Sequence, residues 1–424
     1  MTASIAVLPL ANASGDAEKD YLADGLTEQL HSALTGVRTL RVASRGAASA
    51  LRGAVALADL GRELGVATVL EGSVTRLGGQ LRLAVRLLEA DGAVMWQEQI
   101  DRRYDEVFTV LRELVDRILA TVQVAPTAEE HVALAHVPTG DGRALEPYLR
   151  ARHLAGQVRR SSQDFAVQMY EDAVKADAAF ALAHAGLAES HSLLFTYWVS
   201  SDDNLRAADH ASARAVELAP DLAETHVARG VALSLNRQPD AAEREFQKAH
   251  ALKPNLFDVH YQFARHCRTL GRFEESARWF ESAGVLRPED YAAPALLASV
   301  YVSLGRSADA TAAQRRALQA AERRLKLHPD DERALYLGAG CLATLGEPGK
   351  AREWAKRAVA MEPFDSAVLY NVACVYAQLG LKDSAIDCLD QAIKSGFGHW
   401  DWIEHDSDLD LLRDHPRFKS VTTR

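Results

Sequence analysis

Two spacings of apolar residues divide the chain. Up to about residue 122 apolar positions run continuously or alternate with polar ones, as strands require, between helical stretches; beyond about residue 145 they recur every third or fourth position throughout. Residues 4–10 form a buried-strand run closed by a turn at 12–15. In residues 20–34, Tyr21, Leu22, Leu26, Leu30 and Leu34 fall at helical spacing. A short strand at 40–42 and a helix at 56–64, stopped by Gly65, come next. Residues 66–77 read as a strand, and Gly78-Gly79 as a hairpin turn. Leu81, Leu83, Val85 and Leu87 then alternate with Arg82 and Arg86. A second turn at Asp91-Gly92 leads to a strand at 94–100, and an amphipathic helix occupies 105–122. This order predicts an α/β two-layer domain over residues 1–124.

The second half carries two series of punctuation marks. Pro220, Pro254, Pro288, Pro329 and Pro363 are spaced by 34, 34, 41 and 34 residues, and Gly271, Gly305, Gly346 and Gly380 by 34, 41 and 34. Both series share one excess of seven residues. Seven residues are about two helical turns, so the apolar stripe stays on one face and residues 308–327 are expected to form one long helix.

A 34-residue helix-turn-helix period resembles the tetratricopeptide repeat. The small, large and proline positions of that family fall on Gly230, Ala242, Phe246, Ala249 and Pro254 in the unit 223–256, and on Ala264, Ser276, Phe280, Ala283 and Pro288 in the unit 257–290. In 332–365 they fall on Ala339, Ala351, Ala355, Ala358 and Pro363, with a small residue where a large one is usual. The last unit supplies Ala373, Ala385, Leu389 and Ala392. A weaker unit covers 146–180. The unit 181–222 is lengthened by the stretch FTYWVSSDD at 195–203, read as a longer helix end plus a loop capped by Ser or Asp. The expectation is a linker at 125–145 and an all-α superhelical solenoid of about seven units over 146–397. A segment at 398–424, with Trp400, Trp402, Asp406, Asp408 and Asp410, would cap the last apolar face. The rival reading of that segment is a metal site using His399, Asp401, His405 and Asp406. Against it, the sharp-turn glycine and closing glutamate of a calcium loop are missing.

The stretches SIAVLPLAN (4–12), YLADGLTEQL (21–30), ELGVATVLEGSV (63–74) and WQEQIDRRYDEVF (96–108) resemble the TolB amino-terminal-like domain, and the tail at 392–418 resembles the closing segment of arrays found beside bacterial kinases and cyclases. The resemblance implies a sensory or interaction module whose output belongs to a nucleotide cyclase, a protein kinase or a winged-helix regulator. No such effector lies within the 424 residues, so the output is expected on another polypeptide, or the chain acts as a scaffold alone.

Composition narrows the function classes. A net charge of −10 argues against a nucleic-acid groove and against a polybasic membrane surface. No apolar run reaches the roughly 18 residues of a membrane helix. The chain opens on a strand rather than a signal peptide, so a cytoplasmic protein is expected. Phosphate-loop, HExxH and GxSxG patterns are missing, and the four cysteines form no CxxC pair; the expectation is no enzyme, no cofactor and no metal. His184, His226 and His260 repeat at one early position of successive units and read as packing or groove residues. Cys267, Cys341 and Cys374 read as small core or groove side chains. Asp24 and Glu28 read as helix-start acids, with a ligand contact as the rival.

Binding is then expected on the inner wall, which the resemblance assigns to positions 2, 5, 9 and 12 of each unit. Those positions hold Glu224 and Val227; Asp258, Tyr261, Arg265 and Arg268; Arg333 and Tyr336; Ala367 and Tyr370. The candidate groove residues are Tyr261, Arg265, Arg268, Arg333, Tyr336 and Tyr370, because aromatic and arginine side chains anchor interfaces and guanidinium groups grip carboxylates or acidic peptides. The opposing reading has the tyrosines packing on neighbouring helices and the arginines solvated. The Lys/Asn pattern of the family's C-terminal-carboxylate clamp is lacking. The function expected is a non-enzymatic scaffold for a protein or peptide, with no nucleic acid and no membrane insertion; self-association stays open. The alternative is a regulatory subunit whose first domain senses a small molecule and signals through the array to a separate effector.

Overall fold

A computed structural model describes residues 3–51, 57–135 and 137–423. The continuous apolar run near the start becomes β1 (Ser4–Val7), buried on both faces. Then come β2 (Ala11–Asn12), α1 (Asp20–Thr35), β3 (Arg41–Val42), α2 (Arg45–Leu51) and α3 (Leu57–Leu64). The meander β4 (Thr68–Leu77), β5 (Gln80–Glu89) and β6 (Val94–Arg103) leads into α4 (Val107–Thr121). The sheet order is β3-β1-β4-β5-β6, with β2 also against β4. β1 runs parallel to β3 and β4, whereas β4, β5 and β6 are antiparallel, so the sheet is mixed.

The period-two pattern decides the faces. Leu81, Leu83, Val85 and Leu87 point into the core with Ile5, Val7 and the apolar sides of α1 and α4. Arg82 and Arg86 point outward to Asp101 and Glu71. Ala6 and Leu8, on the other side of β1, join Ala48 of α2 and Leu60 of α3 in a second, smaller cluster. Where two layers were expected, helices cover the sheet on both sides over part of its width. Burial on both faces is what makes the first strand continuously apolar.

Residues 125–145, expected as a linker, contain the helix α5 (Ala128–Ala135). Its Glu130 accepts hydrogen bonds from the backbone N–H groups of Arg38, at 3.0 Å, and Thr127, at 2.8 Å. Helical pairs follow: α6 (Gly142–Ala155) with α7 (Arg160–Ala176), α8 (Ala181–Tyr197) with α9 (Asp202–Leu218), α10 (Ala223–Leu235) with α11 (Pro239–Leu252), and α12 (Phe257–Thr269) with α13 (Phe273–Leu286). Then come α14 (Ala292–Ser303) with α15 (Ser307–Leu327), α16 (Glu332–Thr344) with α17 (Pro348–Met361), and α18 (Ser366–Gln378) with α19 (Lys382–Lys394). The short helices α20 (Trp400–His405) and α21 (Pro416–Thr422) end the chain. The seven-residue excess is taken up as helix: α15 is 21 residues long.

The glycines between paired helices hold left-handed backbone. Gly271, Gly305, Gly346 and Gly380 have φ of 71, 69, 84 and 72°. The next N–H in each case closes the helix end, as from Arg272 to the Cys267 carbonyl at 2.9 Å and from Leu381 to Tyr376 at 2.9 Å. Arg237 occupies the same place one unit earlier, at φ 57° without glycine. Small residues admit aromatic ones: a Cβ on Gly230 would stand 2.8 Å from the Phe246 ring. In the unit 332–365, where Ala355 replaces the large residue, Trp354 fills the room against Gly338.

The chain divides into two compact units, Met1–Ser190 with Ala208–Val259, and His191–Ala207 with His260–Arg424. In the first, one continuous core joins the sheet to the opening helical pair: Leu26, Leu83 and Leu111 share it with Leu145, Tyr148, Tyr170 and Phe180. Among the described residues no helix is long and apolar enough to cross a membrane.

Candidate functional site

In the second unit, Tyr261, Arg265 and Arg268 are spaced i, i+4 and i+7 along α12, which puts them on one helix face. Arg333 sits in the first turn of α16, whose start is capped by Asp331 accepting from the Ala334 N–H at 2.9 Å. A cation there opposes the helix dipole. Arg333 Nη2 nevertheless turns to Tyr261, donating to its hydroxyl at 3.2 Å. Between the arginines lies Tyr197, from the last turn of α8. The Arg265 and Arg333 guanidinium carbons stand 5.6 and 5.8 Å from its ring centre, and Arg265 is also 5.9 Å from the Tyr261 ring.

The charge in this cluster is unbalanced. Arg265, Arg268 and Arg333 are half-buried, and no carboxylate among the described residues pairs with any of them. The Arg268 Nε–H is buried without an acceptor. Burial, then repulsion from Arg265, lowers the pKa of Arg268. For Tyr197 burial opposes ionisation, but the fields of Arg265, Arg333 and Arg268 outweigh it and lower the phenol. For Tyr261 burial wins over Arg333 and the phenol is raised. Tyr336 is buried beside Arg333, and burial raises its phenol as well. Tyr261 also packs edge-on against Phe280, at 5.9 Å, so it serves the core and the cluster together.

Tyr370 is drawn elsewhere. Its ring stacks on Phe397 at 4.2 Å, and its hydroxyl donates to Asp406 Oδ2 at 2.7 Å. Tyr197 went unnamed among the sequence candidates. It comes from the lengthened end of the unit 181–222, and the aromatic run FTYW was the available signal. That insertion reaches far along the second unit: Trp198 Nε1 donates to Asp365 Oδ2 at 2.7 Å, and Ser200 Oγ lies 2.9 Å from His399 Nε2. Part of the first-helix face is thus already covered by the chain itself.

The closing segment is built around Asp406. Besides Tyr370, it accepts from Cys374 Sγ at 3.8 Å and from the Asp408 N–H at 3.0 Å. Cys374, Asp406 and Asp408 offer ligand atoms within 4.8 Å of one another, and burial, then the Asp406 charge, pushes the Asp408 carboxyl up to about 6. His399, named in the rival metal reading, is engaged instead with Ser200, the Phe195 carbonyl at 3.1 Å and the Trp402 ring at 4.7 Å. The side chains of Asp401 and His405 lie outside the described residues.

In the first unit several charged side chains are paired. Glu28 bonds Arg152, Asp24 Oδ2 lies 3.0 Å from His153 Nδ1, and Glu146 takes Arg76 at 2.7 Å and Arg150 at 2.9 Å. Asp24 and Glu28 stand inside α1 rather than at its start, and they fasten α1 to α6. Lys253 Nζ joins Ser32 Oγ, at 2.8 Å, to Glu224 Oε1, at 3.0 Å. For Glu189 burial, partly offset by Arg152, raises the carboxyl to about 7. The repeated histidines are structural ties: His184 Nε2 lies 3.2 Å from the Ala178 carbonyl and His226 Nε2 2.7 Å from that of Pro220. A cavity of about 590 Å³ opens on the sheet, lined in part by Leu8, Leu60, Ser73, Arg86, Gln97 and Gln99.

A profile described as the HilA/YgeH-like transcriptional regulator, second domain, matches residues 1–118, and a tetratricopeptide-repeat profile matches residues 366–395. A Rhizobium meliloti (strain 1021) protein named "Putative adenylate cyclase 3" is 32% identical over 247 residues, 57% of this chain and 42% of that protein. The chain therefore spans less than half the length of this relative. Among solved structures, the human IFIT1 dimer with m7Gppp-AAAA aligns at a TM-score of 0.48 with 17% identity, over 68% of this chain and 64% of that one. YrrB, a TPR protein with an unusual peptide-binding site, aligns at 0.30 with 22% identity, over 45% and 94%. The chain thus carries a tetratricopeptide repeat in a helical array, behind a mixed-sheet domain similar to part of a transcriptional regulator.

Proposed function

We propose that the protein is a non-enzymatic interaction scaffold, and that it takes a protein or peptide on the first-helix face of its second unit, at Tyr197, Tyr261, Arg265, Arg268, Arg333 and Tyr336. The observation that carries this reading is the unpaired charge: of three half-buried guanidinium groups, Arg265 and Arg333 face tyrosine rings and phenol oxygens, the Arg268 Nε–H has no acceptor, and among the described residues no carboxylate is bound to any of them. A scaffold stabilised for its own sake would pair such groups or leave them out. A partner supplying acidic and apolar groups would satisfy both the arginines and the rings. Tyr370 is left out of this surface because its hydroxyl and ring are taken by Asp406 and Phe397 of the closing segment.

The test is quantitative affinity capture from the source cells with the full chain, comparing wild type with a Tyr261→Ala, Arg265→Ala, Arg268→Ala triple variant. The expected result is loss of at least one partner held by the wild type. Retention of every partner would exclude this surface.

A regulatory role is the second reading. It is supported by the cavity on the sheet of the first unit and by the likeness to a much longer protein named as a cyclase, which suits a TolB-like sensory domain acting on an effector elsewhere. Thermal-shift screening against nucleotides and metabolites tests it; a screen without a single shift removes the sensor.

A further inference from the structure

Resting on the scaffold reading, we infer that the cluster of Arg265, Arg268, Arg333 and Tyr197 is a site for a phosphate monoester carried by a peptide side chain. Three guanidinium groups converge there: Arg265 meets the Tyr197 phenol by a side-chain hydrogen bond and lies near the faces of Tyr197 and Tyr261, while the buried Arg268 Nε–H has no acceptor among the described residues. A single carboxylate carries one charge and fills one guanidinium fork. A phosphate monoester carries about two negative charges and three acceptor oxygens, enough to take one donor pair from more than one arginine. Arginine rather than lysine suits this, because its planar fork stays charged under burial and lies flat on an aromatic ring. An anion bound there offsets the repulsion between Arg265 and Arg268.

The surroundings favour a peptide over a polynucleotide. The whole chain carries a charge of −10, which repels an extended polyanion but leaves a local phosphate to the three arginines. Tyr197 forms one wall of the site and comes from the insertion that also reaches Asp365 through Trp198. It stands between Arg265 and Arg333, so the anion is expected to bear on its hydroxyl edge and on the free Nε–H of Arg268.

Calorimetric titration of the full chain decides the matter. The probes are a phosphoserine-centred hexapeptide, its glutamate and serine counterparts, inorganic phosphate, and a 5′-phosphorylated trinucleotide. The expected order has the phosphopeptide at least tenfold tighter than the glutamate peptide and tighter than free phosphate, with binding weakened by salt. Arg268→Gln, which removes the charge but keeps a shorter polar side chain, should lower phosphopeptide affinity by tenfold or more while the thermal transition stays in place. Equal or tighter binding of the glutamate peptide overturns the phosphate class and leaves the scaffold reading standing. Tighter binding of free phosphate or of the trinucleotide overturns the peptide source. Binding of none of the probes, with partner capture still dependent on Tyr261, Arg265 and Arg268, overturns this inference alone; loss of that dependence overturns the scaffold reading beneath it.

Discussion

Arginines lie against first helices in both compact units, and they are treated in opposite ways. Within the first unit Arg152 is bonded to Glu28, Arg150 to Glu146, and Lys253 to Glu224 and Ser32. Within the second, Arg265 and Arg333 meet tyrosine rings and phenols, and the buried Arg268 Nε–H meets no acceptor among the described residues. Paired charges at a helix face mark an interface already made: α1 of the sheet domain is fastened to α6 through them. Unpaired charges at an equally sheltered face mark an interface still to be made, because partial burial of a cation without a counter-ion lowers stability and folding alone offers no return for it.

Substitutions at equivalent chemistry should separate the two cases. The largest effect is expected from Arg152→Ala. It removes the Arg152 contact from Glu28 and leaves the more exposed Arg45 at 3.7 Å, and urea denaturation at pH 7 should report a loss of about 1–3 kcal/mol; a loss below a few tenths would mean that the Glu28–Arg152 pair does not hold α1 to α6.

A smaller effect, with a definite pH dependence, is expected at Glu189. In the folded chain its carboxyl keeps the proton up to about pH 7. In the unfolded chain the proton leaves near pH 4.3. The folded state therefore binds more protons between those values, and stability falls as pH rises through that window. Glu189→Gln should flatten this slope, raising stability at pH 8 by on the order of 1 kcal/mol while changing little at pH 4. Identical slopes for the two proteins would show that Glu189 ionises freely in the fold.

The smallest effect sharpens the contrast most. Arg268→Ala in the second unit should shift stability by no more than about 0.5 kcal/mol in either direction, because it removes a cation that is repelled by Arg265 and bonded to nothing. A loss comparable to that of Arg152→Ala would mean that the guanidinium has a structural partner after all.

How much of this was legible differs by the range of the interaction. The helical pairs, the glycine turns and the undivided 21-residue α15 follow from local spacing, since helical period and left-handed backbone are decided within a few residues. The alternation in β5 likewise announced which side of the meander is buried. Less could be read where short elements leave too few periods: α2 and α5 were missed, and with them the cover on the second face of the sheet. At the candidate site, Tyr261, Arg265 and Arg268 could be grouped from helix spacing alone, and Arg333 and Tyr336 from the repeat. Tyr370 could not be told from Tyr261 or Tyr336 in this way, because all three hold position 5, and only the fold brings Asp406 and Phe397 against one of them.

The residue order by itself determined the repeat, its period, the strand-and-helix alternation of the first domain and the face on which arginine and tyrosine gather. Tertiary structure alone decided which of those charges are paired, that α1 is pinned by Asp24 and Glu28, and that Tyr197 enters the arginine cluster from an insertion more than sixty residues away in sequence. The reason is physical: periodicity is written into neighbouring residues, whereas a counter-ion is chosen by proximity in space, which the chain acquires only when its helices have packed.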